Sequence, residues 1–324
     1  MNILVRTDAS TEIGSGHVMR CLTIADSLKK IGHLVTFWMK VLPGNLISLV
    51  EEKGYTVVQK VELSDILIVD HYCLDRKWEQ DMRKYTNKIV VIDDLANRQH
   101  DCDLLLDQNV VFNYEIRYDN LVPRHCKKLL GPKYLIMRDE FILARLNNQH
   151  HSGRLDNLLV FMGGSDLTNE TLKVLEALEK TKTEFSQINV VVGSSNPNKL
   201  NINEICLEKN YFFHCQINYM ARLMGEADFS IGAGGLSTWE RCYVGLPSSS
   251  TIIADNQLET TITAEKLGAV INLGRHEEVT INTYTELLNS LPRRKQELLR
   301  VSQKGLEITE SEGQPNLWLQ EIVG

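Results

Sequence analysis

The chain has 324 residues, a formal net charge of −7 and a pI near 5.8, a length that suits two domains, each with its own core. The acidic balance argues against a general nucleic-acid binder, and no apolar run reaches membrane-spanning length. Seven cysteines without paired spacing fit reduced thiols, so the expectation is a cytoplasmic protein with no membrane insertion, no nucleic-acid partner and no structural metal.

In chain order, Asn2–Asp8 reads as a first strand and Val18–Leu28 as an amphipathic helix. Between them stands Gly14-Ser15-Gly16-His17, where glycines allow a sharp turn and unpaired N–H groups gather at the helix start. A histidine there can exchange protons near neutral pH beside a place that favours anions. The competing reading is a tight turn with His17 on the surface. Further strands are expected at Leu34–Trp38, Tyr55–Val58, Asp65–Asp70, Lys88–Asp93 and Asp103–Asp107. Asp8, Asp70 with His71 and Tyr72, and Asp93 with Asp94 fall at carboxyl ends of strands, where parallel sheets hold their ligands. His71 also fits a strand cap, and Asp93-Asp94 a turn and helix start.

The polar run Asn147–Gly153, with the solvated pair His150-His151, reads as a linker. It divides an N-terminal domain, 1–150, from a C-terminal one, 151–324. Beyond it, strands at Asn157–Met162, Ile188–Val192 and Asp228–Ile231 run into glycine- and serine-rich turns, and Glu297–Val323 reads as a helical end. Alternating strands and helices imply an α/β protein with parallel sheets. The four tryptophans, Trp38, Trp78, Trp239 and Trp318, read as packing residues.

Common nucleotide fingerprints fail. Met19 stands where a dinucleotide-binding loop needs its third glycine, and no Gly-Lys-Ser/Thr sequence occurs. Gly232-Ala-Gly-Gly-Leu-Ser-Thr238 is the better phosphate candidate, with Glu240 able to accept from ribose hydroxyls; its alternative is close helix–sheet packing. Asp101-Cys102-Asp103 has the spacing of a metal-binding Asp-x-Asp, yet it precedes a strand and reads as surface polarity.

Six segments then occur in order: Gly14–Ala25, Ile68–Tyr72, Ile92–Asp94, Leu135–Phe141, Phe161–Asp166 and Asn256-Gln257. Together they resemble the UDP-sugar hydrolases of pseudaminic acid biosynthesis, which remove UDP from UDP-2,4-diacetamido-2,4,6-trideoxy-β-L-altropyranose. That family is similar to GT-B glycosyltransferases, so the resemblance implies two Rossmann-like domains facing across a cleft. It implies His17 as catalytic base beside Gly16, Glu240 as ribose ligand, and Gly234, Gly235, Leu236 and Ser237 near the diphosphate. Asn256 and Gln257 would approach diphosphate or sugar, Arg20 and Arg138 the nucleotide's charge, and Asp70 and Tyr72 the sugar. The implied reaction is inverting attack of water at the anomeric carbon, with no cofactor or metal and a small-molecule UDP-sugar as the partner. Asp8 and Asp70 are both candidates to orient the His17 ring. An inverting transferase and a nucleotide-sugar-binding protein without turnover are the alternatives.

Overall fold

The computed structural model describes residues 1–147, 153–310 and 315–324; His150 and His151 lie outside them. The chain forms two compact units, Met1–Met137 together with the tail residues 315–324, and Arg138–Glu310. The first contains β1 (Asn2–Thr7), α1 (Gly16–Lys30), β2 (Leu34–Trp38), α2 (Ile47–Glu52), β3 (Thr56–Val58), β4 (Ser64–Asp70), α3 (Arg76–Met82), β5 (Thr86–Ile92), β6 (Leu104–Asp107) and β7 (Lys127–Leu130). The second begins with α4 (Asp139–Asn147), β8 (Asn157–Phe161), α5 (Glu170–Lys180), β9 (Gln187–Val192), α6 (Lys199–Lys209), β10 (Phe212–Cys215) and α7 (Met220–Glu226). It continues through β11 (Phe229–Ala233), α8 (Leu236–Tyr243), β12 (Ser248–Ile252), α9 (Leu258–Lys266), β13 (Ile271–Arg275), α10 (Ile281–Ser290) and α11 (Lys295–Ile308). The last helix, α12 (Trp318–Val323), belongs to the first unit.

Both sheets are parallel, and both have the strand order of a doubly wound nucleotide-binding fold. The first runs β3-β2-β1-β4-β5-β6-β7 and the second β10-β9-β8-β11-β12-β13. The direction of winding reverses between β1 and β4 in one and between β8 and β11 in the other, and such switch points open a crevice at the strands' carboxyl ends. Apolar runs such as Ile66–Val69 and Leu158–Val160 are buried because helices cover both faces of each sheet. In the first unit Ile3, Val5 and Ile68 pack with Val18, Ile24 and Leu28 of α1 and with Trp318 and Ile322 of α12. Leu67, Val69, Ile89, Val91 and Tyr118 fill the opposite face. In the second unit Val160, Val190 and Ile231 pack against Val174, Leu178, Tyr284 and Leu288.

Arg145 of α4 donates to the carbonyls of Tyr243 and Leu306 and to Thr309 Oγ1, so the helix ahead of the expected linker is tied to the second unit. The division falls at Met137–Arg138 instead of at residue 150, and the tail returns to the first unit. There Trp318 is fully buried, and Lys88 Nζ donates to the carbonyls of Glu321 and Ile322 at 3.0 and 2.8 Å, satisfying the exposed end of a helix. Trp239 and Trp318 are core, and Trp38 stacks on Trp78 at 5.7 Å, as packing residues do.

Asp107 closes β6 in a buried acidic pocket. Arg117 Nη1 lies 2.9 Å from its Oδ2, and the Tyr118 hydroxyl sits 2.9 Å from Asp93 Oδ2 and 3.2 Å from Asp107 Oδ2. Burial pushes the Asp107 carboxyl up to about 7 against the pull of Arg117, with Asp94 and Asp93 adding to the rise. A carboxyl raised in this way holds its proton in the folded chain after the unfolded chain has lost it. Its contribution is full below the ordinary carboxylate pKa and is lost as pH rises through the folded value. The stability advantage of wild type over Asp107→Asn should shrink by about 1–3 kcal/mol between about pH 5 and pH 8 in urea unfolding. An advantage that stays level or grows with pH would contradict this account of the pocket.

Candidate active site

The first switch point is built from the loop after β1 and the ends of β4 and β5. Gly14 takes a φ of +80°, and its N–H bonds back to the Ser10 carbonyl at 2.9 Å, so the loop closes tightly before α1. The helix starts at Gly16 with no side-chain cap and no acidic residue in its first turn. His17 therefore sits at the positive helix end, buried rather than solvated, and its Nδ1 lies 2.6 Å from Asp70 Oδ1. A carboxylate only accepts, so this contact places a hydrogen on Nδ1, and in the neutral ring the lone pair is on Nε2. Nε2 has no hydrogen-bond partner among the described residues. Tyr72 packs edge-on against the His17 ring at 4.4 Å between centroids.

Asp70 is wholly inaccessible to water. Arg20, one helical turn after His17, donates from Nε to Asp70 Oδ2 and from Nη2 to Asp70 Oδ1, both at 2.8 Å. Burial alone would raise the Asp70 pKa, but the Arg20 charge foremost, with the hydrogen bonds from His17 and Arg20, holds it well below the usual carboxylate range. With both oxygens taken, Asp70 touches His17 where the resemblance implies a sugar contact. Arg20 is likewise spent on Asp70, with Asp94 Oδ2 at 3.4 Å.

The open question between Asp8 and Asp70 is settled by geometry. Asp8 accepts a two-pronged pair of bonds from Arg6 at 2.7 and 2.6 Å, a third from the Lys40 N–H at 2.8 Å, and lies 3.3 Å from His71 Nε2. Burial would raise its pKa, and these partners, His71 and Arg6 foremost, keep it far below the ordinary value. His71 thus joins Asp8 at Nε2 while its Nδ1 accepts the Cys73 N–H. Arg6 is a single cation inside an apolar strand, so no local sequence pattern marks it as the partner of Asp8. Asp93 Oδ2 accepts the Ala96 N–H, making the expected turn, but no helix follows until residue 132. Arg83 holds both Asp101 and Asp103, which accounts for the Asp-x-Asp spacing without a metal.

The second unit repeats the plan with different chemistry. Its switch-point strands end in Gly163-Gly164 and Gly234-Gly235. Gly235 has φ +87° and ψ −153°, a conformation closed to residues with a Cβ, and it precedes α8, which has neither a side-chain cap nor an acid in its first turn. Gln257 lies across the turn: an added Cβ at Gly234 would come within 3.1 Å of its Oε1, and its Oε1 also accepts the Ile253 N–H. Asn256 is exposed beside it. Leu236 and Ser237 form the first turn of α8, and Glu240 follows on the same helix. Arg138 donates from Nη2 to Glu240 Oε1 at 2.9 Å and pairs through Nη1 with Glu140, so this guanidinium too is committed to carboxylates. Asp166, after the Gly163-Gly164 turn, is a structural acid that accepts the Glu170 and Thr171 N–H groups at the start of α5. Among the described residues no group of three His, Cys, Asp or Glu side chains is placed to hold a metal ion, and no helix is long and apolar enough to cross a membrane.

Among curated proteins, the chain is 30% identical over 240 residues to a UDP-2,4-diacetamido-2,4,6-trideoxy-β-L-altropyranose hydrolase of Campylobacter jejuni, covering 70% of this chain and 83% of that one. The chain belongs to this hydrolase family. It is also 28% identical over 283 residues to an uncharacterized protein of Methanocaldococcus jannaschii, matching 80% of this chain but only 57% of that longer protein. No family model matches. Among solved structures it is similar to Acinetobacter baumannii MurG, with a TM-score of 0.64, 15% identity and coverage of 99% and 98% of the two chains. It is also similar to Anabaena Alr3699/HepE crystallised with UDP and glucose, with a TM-score of 0.57, 12% identity and coverage of 100% and 98%. These likenesses give the chain a GT-B-type α/β fold.

Removing Asp70 would leave the Arg20 charge buried with Asp94 alone at 3.4 Å. Asp70→Ala should cost about 3–5 kcal/mol of unfolding free energy at neutral pH, the range for a buried pair that loses one partner. A loss below about 1 kcal/mol would mean that the pair is more solvated than the geometry shows.

Proposed function

We propose that this protein hydrolyses UDP-2,4-diacetamido-2,4,6-trideoxy-β-L-altropyranose to UDP and the free 2,4-diacetamido sugar in pseudaminic acid biosynthesis. The observation that carries the proposal is the His17–Asp70 contact at 2.6 Å, which in the neutral ring directs the lone pair to Nε2, an atom without a hydrogen-bond partner among the described residues. Water gives a proton to Nε2 as its oxygen forms a bond to the anomeric carbon. The bond from that carbon to the phosphate oxygen breaks, its electron pair leaves with UDP, and the anomeric configuration inverts. Asp70 steadies the imidazolium that forms and fixes the ring's direction, and Arg20 keeps Asp70 ionised. In this reading Tyr72 flanks the sugar, and the Gly234–Ser237 turn at the start of α8 receives the diphosphate. Glu240 accepts from the ribose hydroxyls through the oxygen that Arg138 leaves free, and Asn256 and Gln257 lie near the diphosphate or sugar. UDP is a good leaving group, so donors fixed around its charge suffice and the mechanism runs without a metal.

The family supports this reading through the relative from Campylobacter jejuni, whose name states that activity. The similarity to glycosyltransferases concerns the fold, and one assay separates the two chemistries. Purified protein with the UDP-sugar, a chelator and no acceptor should release UDP. His17→Ala should lower turnover by about two to four orders of magnitude while UDP affinity stays nearly unchanged. Near-wild-type turnover in the variant would remove His17 as base. An absolute need for an acceptor would make the protein a transferase, UDP binding without turnover a binding protein, and loss of activity in chelator would reject the metal-free mechanism.

A further inference from the structure

Three arginines are buried among the described residues, and two of them are matched to carboxylates: Arg6 with Asp8, and Arg20 with Asp70. The third, Arg241, is fully buried in α8 and has no ion-pair partner among the described residues. Its Nη2 donates to the Ala233 carbonyl at 2.9 Å, Ser250 Oγ at 3.0 Å and Thr238 Oγ1 at 3.2 Å, and its Nη1 to Ser237 Oγ at 3.4 Å. All four acceptors are neutral, and Nε has no acceptor among the described residues. The neighbouring acid on the helix, Glu240, is paired with Arg138. Burial is the chief reason that the guanidinium's pKa falls to about 10, with Cys242 and Glu240 opposing the fall only in part.

A full charge held away from water without a counter-charge is costly, and side chains of this kind are rarely left so unless something else balances them. The location is informative. The guanidinium lies directly beneath the strand-to-helix turn, close enough that a Cβ at Gly232 would come within 2.4 Å of its Nη1 and 2.9 Å of the Phe161 carbonyl. A glycine at 232 is thus the condition for seating the arginine there. The same turn leads into the uncapped start of α8, whose first turn carries no acid. The Gly234 N–H is taken by the Thr251 carbonyl at 2.9 Å, and the half-buried stretch from Gly235 to Ser237 at the helix start has a positive charge behind it.

We propose that Arg241 is a positioning residue for the substrate's diphosphate, supplying from beneath the turn the positive potential that selects an anionic ligand, without itself touching that ligand. This role rests on the reading that the Gly234–Ser237 turn holds the diphosphate. It also explains how the leaving group's charge is met when Arg20 and Arg138 are both committed to carboxylates.

A residue that merely clips the turn together would affect every ligand of the nucleotide site alike, whereas a charge should act on the diphosphate alone. The test is calorimetric binding of UDP and of uridine to the full chain. Arg241→Gln should weaken UDP by about ten- to a hundredfold and leave uridine within about twofold. Arg241→Lys should restore most of the UDP affinity. Ser250→Asp keeps the arginine but sets a carboxylate beside it, so it should weaken UDP in the same selective way even if the glutamine variant does not fold. UDP affinity unchanged in either folded neutralising variant, or a parallel loss of uridine and UDP, would overturn the role of Arg241. Wild-type protein binding UDP no more tightly than uridine would instead overturn the placement of the diphosphate on which the role depends.

Discussion

A single carboxylate shut away from water, Asp70, organises the first unit's chemistry. Isolated, it would be too costly to keep ionised in that position; with Arg20 bound to both its oxygens it remains charged and can hold the His17 ring. The result is a histidine with one nitrogen fixed and the other free, on the first turn of a helix whose dipole adds to the local positive potential. Asp8 with Arg6 and His71 forms a second buried cluster close by in sequence, but its geometry directs His71, not His17.

The same backbone device serves both units. Each places its key turn where the winding of a parallel sheet reverses, after β1 and β4 in one and after β8 and β11 in the other. What differs is the side chains put there. The first unit surrounds its crevice with titratable and paired groups suited to moving a proton. The second offers glycines, an uncapped helix start and a buried cation, which suit an anion that need only be held.

Much of this was legible in the residues. The strands that carry the switch points are continuous apolar runs ending in aspartate or glycine, and Gly14–His17 and Gly232–Thr238 stand out between strand and helix. Other strands were hidden by their composition. β12 is Ser248-Ser-Ser-Thr-Ile252, fully buried yet polar, so hydropathy passes over it. β7, β10 and β13 are short strands away from the sheet centres, and lysines, a histidine or a glycine break their apolar pattern. The pairings are long-range facts: Asp70 lies 53 residues from His17, and no local pattern separates it from Asp8 as the ring's partner. Arg241 was invisible for a related reason, since one arginine on a helix ordinarily reads as solvated, and only packing shows it to be enclosed without an acid.

Proton transfer to His17 depends on which ring nitrogen carries the hydrogen when the ring is neutral. Nitrogen-15 labelling of the histidines, with His17 assigned through its substitution, reads this directly by NMR. The structure requires the tautomer with hydrogen on Nδ1, bonded to Asp70, and a bare Nε2. A neutral His17 with its hydrogen on Nε2 would place the lone pair against the carboxylate and contradict the mechanism at its first step.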